Sequence, residues 1–273
     1  MPYHKITGQT WFNIDYLRPT TRHIQFAVDN LNIERIPGYE FVGIEWEPTE
    51  VSHLEKQFIE NHKKYDILLT TNELTLTQCP NAVLFVAAST WIPSNVYENI
   101  DISCKKRIIS NLSNSKLITP DHHLRRNMYM NQLNINSPIP CEWFRSEIRN
   151  NLPDINNNKF ISKSCSAKTD LFLSYQFSMV FENVRKNNGF TEKLIDCLIT
   201  KTIPIYYGAP NIDKWFDTRG WIILDKLTPE ELNIKIQNIG EYNDFLETIN
   251  DNYERSKKYV CFHKNVCTAL NIY

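Results

Sequence analysis

The clearest pattern of apolar and polar positions runs from residue 175 to residue 210, YQFSMVFENVRKNNGFTEKLIDCLITKTIPIYYGAP. The short apolar run at 177–181 (FSMVF) predicts a buried strand. Glu182 and Asn183 follow at its carboxyl end, and the polar 184–189 closes on Gly189 as a loop does. Thr191 can cap a helix, and Glu192 suits its first turn. Leu194, Ile195, Leu198 and Ile199 then recur at helical spacing, and Lys201-Thr202 closes the helix. Residues 203–207 (IPIYY) are a second buried run, ended by Gly208-Ala209-Pro210. The pattern predicts a β-α-β unit with a right-handed crossover.

Upstream, strands are predicted at 23–28 (HIQFAV), 41–46 (FVGIEW), 65–70 (YDILLT) and 82–88 (AVLFVAA). Val51, Leu54, Phe58 and Ile59 predict an amphipathic helix over 51–63. Alternating strands and helices imply an α/β domain with a parallel sheet. Ligands of such sheets approach the carboxyl ends of the strands, which puts Glu45, Glu47, Thr70, Thr71, Asn72 and Glu73 at a site edge. Residues 94–106 carry no clear period and read as a linker. A strand at 107–110 opens the second half, and Pro120-Asp121 starts a helix with Leu124, Met128, Met130 and Leu133 inward. Residues 134–160 are rich in Asn and Pro and read as a loop, and 160–170 as a polar lead-in. After Gly208 come a short helix at 211–216, a strand at 221–224, a helix opened by Thr228-Pro229-Glu230-Glu231, and another over 243–259. A terminal helix in CFHKNVCTALNIY can pack back on the first domain.

Composition narrows the function classes. The chain has 273 residues, 42% of them hydrophobic, enough to bury sizeable cores. Thirty basic residues against 31 acidic ones argue against a broad nucleic-acid surface. Only seven glycines are present, so a Gly-rich phosphate loop is not the working device. The seven cysteines are scattered without CxxC pairs, as expected of reduced thiols. Cys261, His263 and Cys267 come nearest to a metal cluster, but their spacing is not that of a zinc site, and no metal is expected. The N-terminus lacks the apolar core of a signal peptide, and no run is long enough to span a bilayer. The expectation is a soluble, cytoplasmic protein.

One residue breaks a local rule. Lys193 falls in the first helical turn, where a cation opposes the helix dipole. An anionic ligand at that helix N-terminus resolves the conflict, because free N–H groups and the ammonium then act together. The alternative is an exposed lysine with a surface contact.

The stretch FSMVFEN…GFTEKLIDCLITKTIPIYYGAP resembles the donor-binding signature of the glycosyltransferase family 10 α-1,3/4-fucosyltransferases. That signature runs Phe-x-x-x-Phe-Glu-Asn, a short loop, Thr-Glu-Lys, a helix, then a Pro-containing strand ending in Gly. The matching positions are Phe177, Phe181, Glu182, Asn183, Thr191, Glu192, Lys193, Pro204 and Gly208. Gly189 stands where many relatives have an aromatic residue. The resemblance implies a GT-B-like α/β fold, with two Rossmann-like domains facing across a cleft. Residues 1–104 would be the acceptor-side domain and 105–273 the nucleotide-sugar domain with C-terminal helices.

It further implies an inverting transfer of fucose from GDP-fucose to a hydroxyl of an acceptor glycan, without an essential metal or other cofactor. Glu182, Asn183, Thr191, Glu192 and Lys193 are then donor-binding residues. The family's phosphate-binding arginine maps to Arg126, if RNMYMNQL sets the register, or to Arg125, if HHLR does; Arg126 is slightly favoured. Its general base maps to Glu47, with Glu45 as competitor. A solvated loop carboxylate is the plainer account of Glu47. Other readings are a transferase for a different nucleotide sugar, or a non-catalytic protein that binds nucleotide sugars or glycans.

Overall fold

Strands buried on both faces need apolar residues at every position rather than at every second one. IPIYY meets that condition, IQFAV and ILLT meet it at all positions but one and YQFSMVF at all but two, and each is a strand of a parallel sheet in the computed structural model. The structure describes residues 3–6, 12–146, 152, 153, 155, 160–165 and 167–272. Those residues divide into two compact units.

The first unit comprises Met1–Ala88, Asn187–Gly189 and Cys261–Tyr273. Its sheet holds β1 (Tyr3–Ile6), β2 (Ile24–Val28), β3 (Glu40–Ile44), β4 (Ile67–Thr70) and β5 (Ala82–Leu84). They lie in the order β1-β2-β3-β4-β5 with every pair parallel. The helix expected over 51–63 is broken in two, α1 (Thr49–Ser52) and α2 (Glu55–Asn61). His53 stands between them in the left-handed region (φ 56), which ends the first turn. A helix α3 (Glu73–Gln78) follows β4, capped by the Asn72 side chain.

The second unit comprises Ser89–Lys186 and Phe190–Val260. Its strands are β6 (Lys106–Ser113), β7 (Cys141–Ser146), β8 (Phe160–Cys165), β9 (Tyr175–Phe181), β10 (Ile203–Tyr207) and β11 (Ile222–Ile223). Its helices are α4 (Ser94–Tyr97), α5 (Pro120–Met130), α6 (Glu192–Ile199), α7 (Pro229–Ile236) and α8 (Leu246–Ser256). The sheet order is β11-β10-β9-β6-β7-β8, all parallel. The predicted β-α-β unit is β9-α6-β10, with Phe177 opposite Ile203 and Phe181 opposite Tyr207. The core packs Phe177, Ile205, Trp143 and Met128 together, all nearly or wholly without solvent contact.

Four expectations change. The domain boundary expected at 104/105 lies inside the second unit, and the last segment returns to the first. That segment forms α9 (Phe262–Ala269), where Phe262, Val266 and Leu270 make an i, i+4, i+8 apolar stripe. Phe262 meets the rings of Phe12, Trp46 and Phe85, all of the first unit. The segment read as a loop contains β7, whose Cys141, Trp143 and Phe144 are buried between less buried polar neighbours. The polar lead-in contains β8, an edge strand of that sheet, where a polar sequence is the usual protection against stray pairing. The Asn-rich run at 156–159 lies outside the described residues. In α5, Met128 and Tyr129 are the buried pair. Met130 is exposed (43%) because it lies about 200° around the helix from Met128, and Leu133 (48%) because the helix has ended at Asn131.

Candidate functional site

In the second unit, written from one edge, the strands run β8-β7-β6-β9-β10-β11. The chain builds outward from β6 to one side, then returns and builds outward from β9 to the other. Loops leaving the carboxyl ends of β6 and β9 therefore diverge, and such a point is where open α/β sheets take ligands. A cavity of about 210 Å³ lies there, lined by Leu112 near the end of β6 and Asn114 just after it, and by Met179, Phe181 and Asn183 at the end of β9.

The wall on the β9 side is built by local rules. Glu182 follows the strand directly and is 1% exposed. Its carboxylate accepts the Thr191 backbone N–H at 2.9 Å and the Thr191 hydroxyl at 2.7 Å. Thr191 in turn caps α6 by accepting the Lys193 N–H. Glu182 thus ties the strand end to the helix start. Burial pushes its carboxyl up, and the Lys193 ammonium 3.9 Å away pulls it back.

The awkward Lys193 is resolved within the protein. Its Nζ donates to Glu192 at 2.9 Å and to the Thr191 hydroxyl at 3.2 Å, using two of three donors. Burial disfavours the Glu192 charge, but Lys193 outweighs it and brings that carboxyl down to about 2. Both side chains line the cavity.

The other wall comes from 58 to 64 positions earlier in the chain. The Thr119 hydroxyl lies 2.7 Å from the Asn183 carbonyl, and Arg125 Nη1 donates to the Asn183 side chain at 2.7 Å. Asp121 accepts the Arg185 N–H at 2.8 Å and the Tyr207 hydroxyl at 3.1 Å. The first two turns of α5 thereby grip the Phe-Glu-Asn loop. Arg125 lines the cavity; Arg126, favoured from sequence, does not. A step of one residue turns a helix by about 100°, so adjacent arginines point to different surroundings. Arg125 shares its face with His122, three residues before it, which also lines the cavity. Burial lowers the Arg125 pKa, against the pull of Glu182, Glu192 and Asp121, and a guanidinium remains charged.

Besides His122, sequence reasoning missed three titratable groups here: Lys116, Lys168 and Asp196. Lys168 rises from a short turn after β8, and burial lowers its pKa. Asp196, one turn into α6, has no solvent contact. Its Oδ1 accepts from the Thr90 hydroxyl (2.6 Å) and the Trp91 N–H (2.7 Å), while Oδ2 has no partner among the described residues. Burial raises its carboxyl to about 7. The lining therefore carries four cations, Lys116, Arg125, Lys168 and Lys193, against the carboxyls Glu192 and Asp196. Such a surface attracts an anion with several charged oxygens.

In the first unit the two candidate bases differ sharply. Glu45 is 5% exposed and accepts from the hydroxyls of Thr70 (2.6 Å) and Thr75 (3.2 Å) and from Asn72 Nδ2 at 3.5 Å. Glu47 is half-buried, and no hydrogen bond or ion pair engages its carboxylate among the described residues. Its backbone N–H and that of Trp46 donate to Asp29. Asp29 stands just past β2 with φ 45, and burial raises its carboxyl to about 7. Among the described residues no group of three or more His, Cys, Asp or Glu could hold a metal ion, and no helix is long and apolar enough to cross a membrane.

Two comparisons place this architecture. The chain shares its fold with S. aureus TarM (11% identical, TM-score 0.57, covering 91% of this chain and 55% of that one) and with the trehalose-6-phosphate synthase OtsA (8%, 0.57, 91% and 71%). Its two parallel sheets are those of the GT-B glycosyltransferase fold. The model of glycosyltransferase family 10 (fucosyltransferase), C-terminal part, matches residues 105–270, more than half of the chain, and the chain belongs to that family. Alpha-(1,3)-fucosyltransferase FucT of Helicobacter pylori is 30% identical over 98 residues, which is 36% of this chain and 16% of FucT. GDP-fucose protein O-fucosyltransferase 3 of Danio rerio is 29% identical over 104 residues, 37% of this chain and 21% of that protein. The match spans about a fifth of the length of these curated relatives.

Proposed function

We propose that the chain is an inverting glycosyltransferase that moves fucose from GDP-fucose to a hydroxyl of an acceptor glycan. The observation that carries this reading is the cationic cavity at the strand-order reversal, walled by Asn183, Glu192, Lys193 and Arg125. Family membership and relatives named as fucosyltransferases support fucose as the sugar. In this reading the second unit holds the donor and the first provides for the acceptor.

The acceptor oxygen attacks the anomeric carbon, the bond from that carbon to the diphosphate oxygen breaks, and GDP leaves. Arg125 and Lys193 stabilise the charge that grows on the diphosphate. The α6 N-terminus adds its free N–H groups. Glu192 accepts hydroxyls of the donor while keeping Lys193 oriented. Asn183 holds Arg125 in place and faces the donor. Thr191 and Glu182 act through packing, by setting where α6 begins. Glu47 takes the acceptor proton as general base; Glu45, committed to two threonine hydroxyls, does not. Arg126 has no role at the diphosphate.

Thermal-shift measurements with GDP, GDP-fucose, GDP-mannose and UDP-glucose test the reading. At a ligand concentration about 100 times Kd, stabilisation is about 2.7 kcal/mol. The expected result is a shift with the guanine nucleotides that Lys193→Ala and Arg125→Ala diminish. A shift with the uridine nucleotide alone would replace the donor, and no shift with any of them would remove the catalytic reading.

A further inference from the structure

His122 is the third residue of α5 and is 2% exposed. Its Nδ1 accepts the backbone N–H of Thr119 at 3.2 Å and lies 2.7 Å from the Thr119 hydroxyl. The hydroxyl has a single proton, which can point to Nδ1 or to the Asn183 carbonyl, so this contact alone leaves the tautomer open. A backbone N–H can only donate and its direction is fixed by the chain. Nδ1 is therefore the bare nitrogen, and the neutral ring carries its proton on Nε2. Nε2 is buried and has no hydrogen-bond partner among the described residues, while the ring lines the cationic cavity. Burial, then Arg125, Lys116, Lys193 and His123, keep the imidazole uncharged, with a pKa near 4. A buried N–H without an acceptor calls for an explanation, and a ligand oxygen is the one this cavity suits.

We infer that His122, through Nε2–H, is an uncharged hydrogen-bond donor to a diphosphate oxygen of the bound nucleotide. The inference rests on the proposed reading of the cavity as a nucleotide-sugar site. A neutral donor suits the place. Lys116, Arg125, Lys168 and Lys193 already repel one another, and a further positive charge would add repulsion as well as attraction. His122 instead supplies direction. It also joins two tasks in one ring: Nδ1 closes the start of α5 and Nε2 faces the ligand. The helix that grips Asn183 is thus coupled to the anion it helps to hold.

Glu and Gln are the ordinary residues at this position of a capped helix, and both accept the cap N–H. His122→Gln and His122→Glu therefore preserve the helix start while differing at the ligand. Gln keeps a donor; Glu puts a negative charge against the phosphates. His122→Met removes the donor without adding charge. Melting without ligand reports the fold, and calorimetric titration with GDP and with UDP reports binding. His122→Gln should stay within about threefold of the wild-type Kd. His122→Met should lose about tenfold, and His122→Glu on the order of a hundredfold; Tm should change little in the Gln and Glu variants and fall in His122→Met, which leaves the Thr119 N–H without its acceptor. If His122→Glu does not fold, the Met and Gln variants decide between them. A nucleotide Kd unchanged in His122→Glu, or equal in Met and Gln, overturns the inference. The nitrogen then serves a water or accepts from a hydroxyl. If wild type binds a nucleotide and the variants match it, only this inference falls. If wild type binds neither GDP nor UDP, the inference and the reading of the cavity fall together.

Discussion

The two sheets obey one rule and reach different ends. In each, a glutamate stands immediately past an inner strand, Glu45 after β3 and Glu182 after β9. Each is buried and held by a threonine hydroxyl, from Thr70 at 2.6 Å and from Thr191 at 2.7 Å. A buried carboxylate must be matched in this way. The sheets differ in order. The first runs β1-β2-β3-β4-β5 without reversal among the described strands, while the second reverses between β6 and β9. Only at the reversal do loops part and helices α5 and α6 bring Arg125 and Lys193 to one space. Glutamates past a strand therefore stand at the carboxyl end of both sheets, but topology decides where the loops diverge, and the next polar residues decide the charge there.

The largest test of this contrast is on turnover. Glu47→Gln should reduce kcat about 10²–10⁴-fold and leave GDP binding unchanged. Glu45→Gln should act on stability instead. A folded Glu45→Gln that loses more turnover than Glu47→Gln would reverse the assignment. Next comes the counterpart glutamate. Glu182→Ala strips the Thr191 N–H and hydroxyl of their acceptor and should cost about 2–4 kcal/mol, read as a denaturant midpoint. Glu182→Gln should recover part of that loss. An unaffected Glu182→Ala would mean that α6 needs no tie to β9.

Arg125→Ala should then weaken GDP by about 10–100-fold, and Arg126→Ala by less than about threefold. Equal effects in titration would dissolve the distinction between the two helix faces. The smallest effect belongs to the first sheet and to pH. Asp29 is held up at about 7 in the fold, against about 4 for an unfolded aspartate. The folded protein binds that proton more tightly. Its stabilising contribution is therefore full below about pH 4 and is lost as pH rises through 7. Asp29→Asn keeps an acceptor for the Trp46 and Glu47 N–H groups and cannot ionise. Discounted for partial exposure, its stability relative to wild type should improve by about 1–2 kcal/mol between pH 4 and 8. Urea midpoints at both pH values would give this difference, and a flat one would mean that Asp29 ionises freely.

What was legible from sequence was local. A run such as IPIYY allows little but a strand buried on both faces, and Thr191 with Leu194, Ile195, Leu198 and Ile199 allows little but a capped amphipathic helix, since each depends on neighbours a few residues away. The ordered Phe-Glu-Asn and Thr-Glu-Lys positions pointed to the family for the same reason. Tertiary structure decided what depends on partners far along the chain. β7 and β8 draw their pairing from the sheet and show little period of their own. The apolar stripe of α9 reads as a helix anywhere, and only Phe12, Trp46 and Phe85 tell which unit it covers. Arg125 and Arg126 are alike as letters; the contact with Asn183, 58 residues away, separates them. Lys116, Lys168, Asp196 and His122 carry no motif and join the cavity only through chain reversal. Periodicity records which face of an element is buried, but not what lies against it, and the charge of this cavity comes from what lies against it.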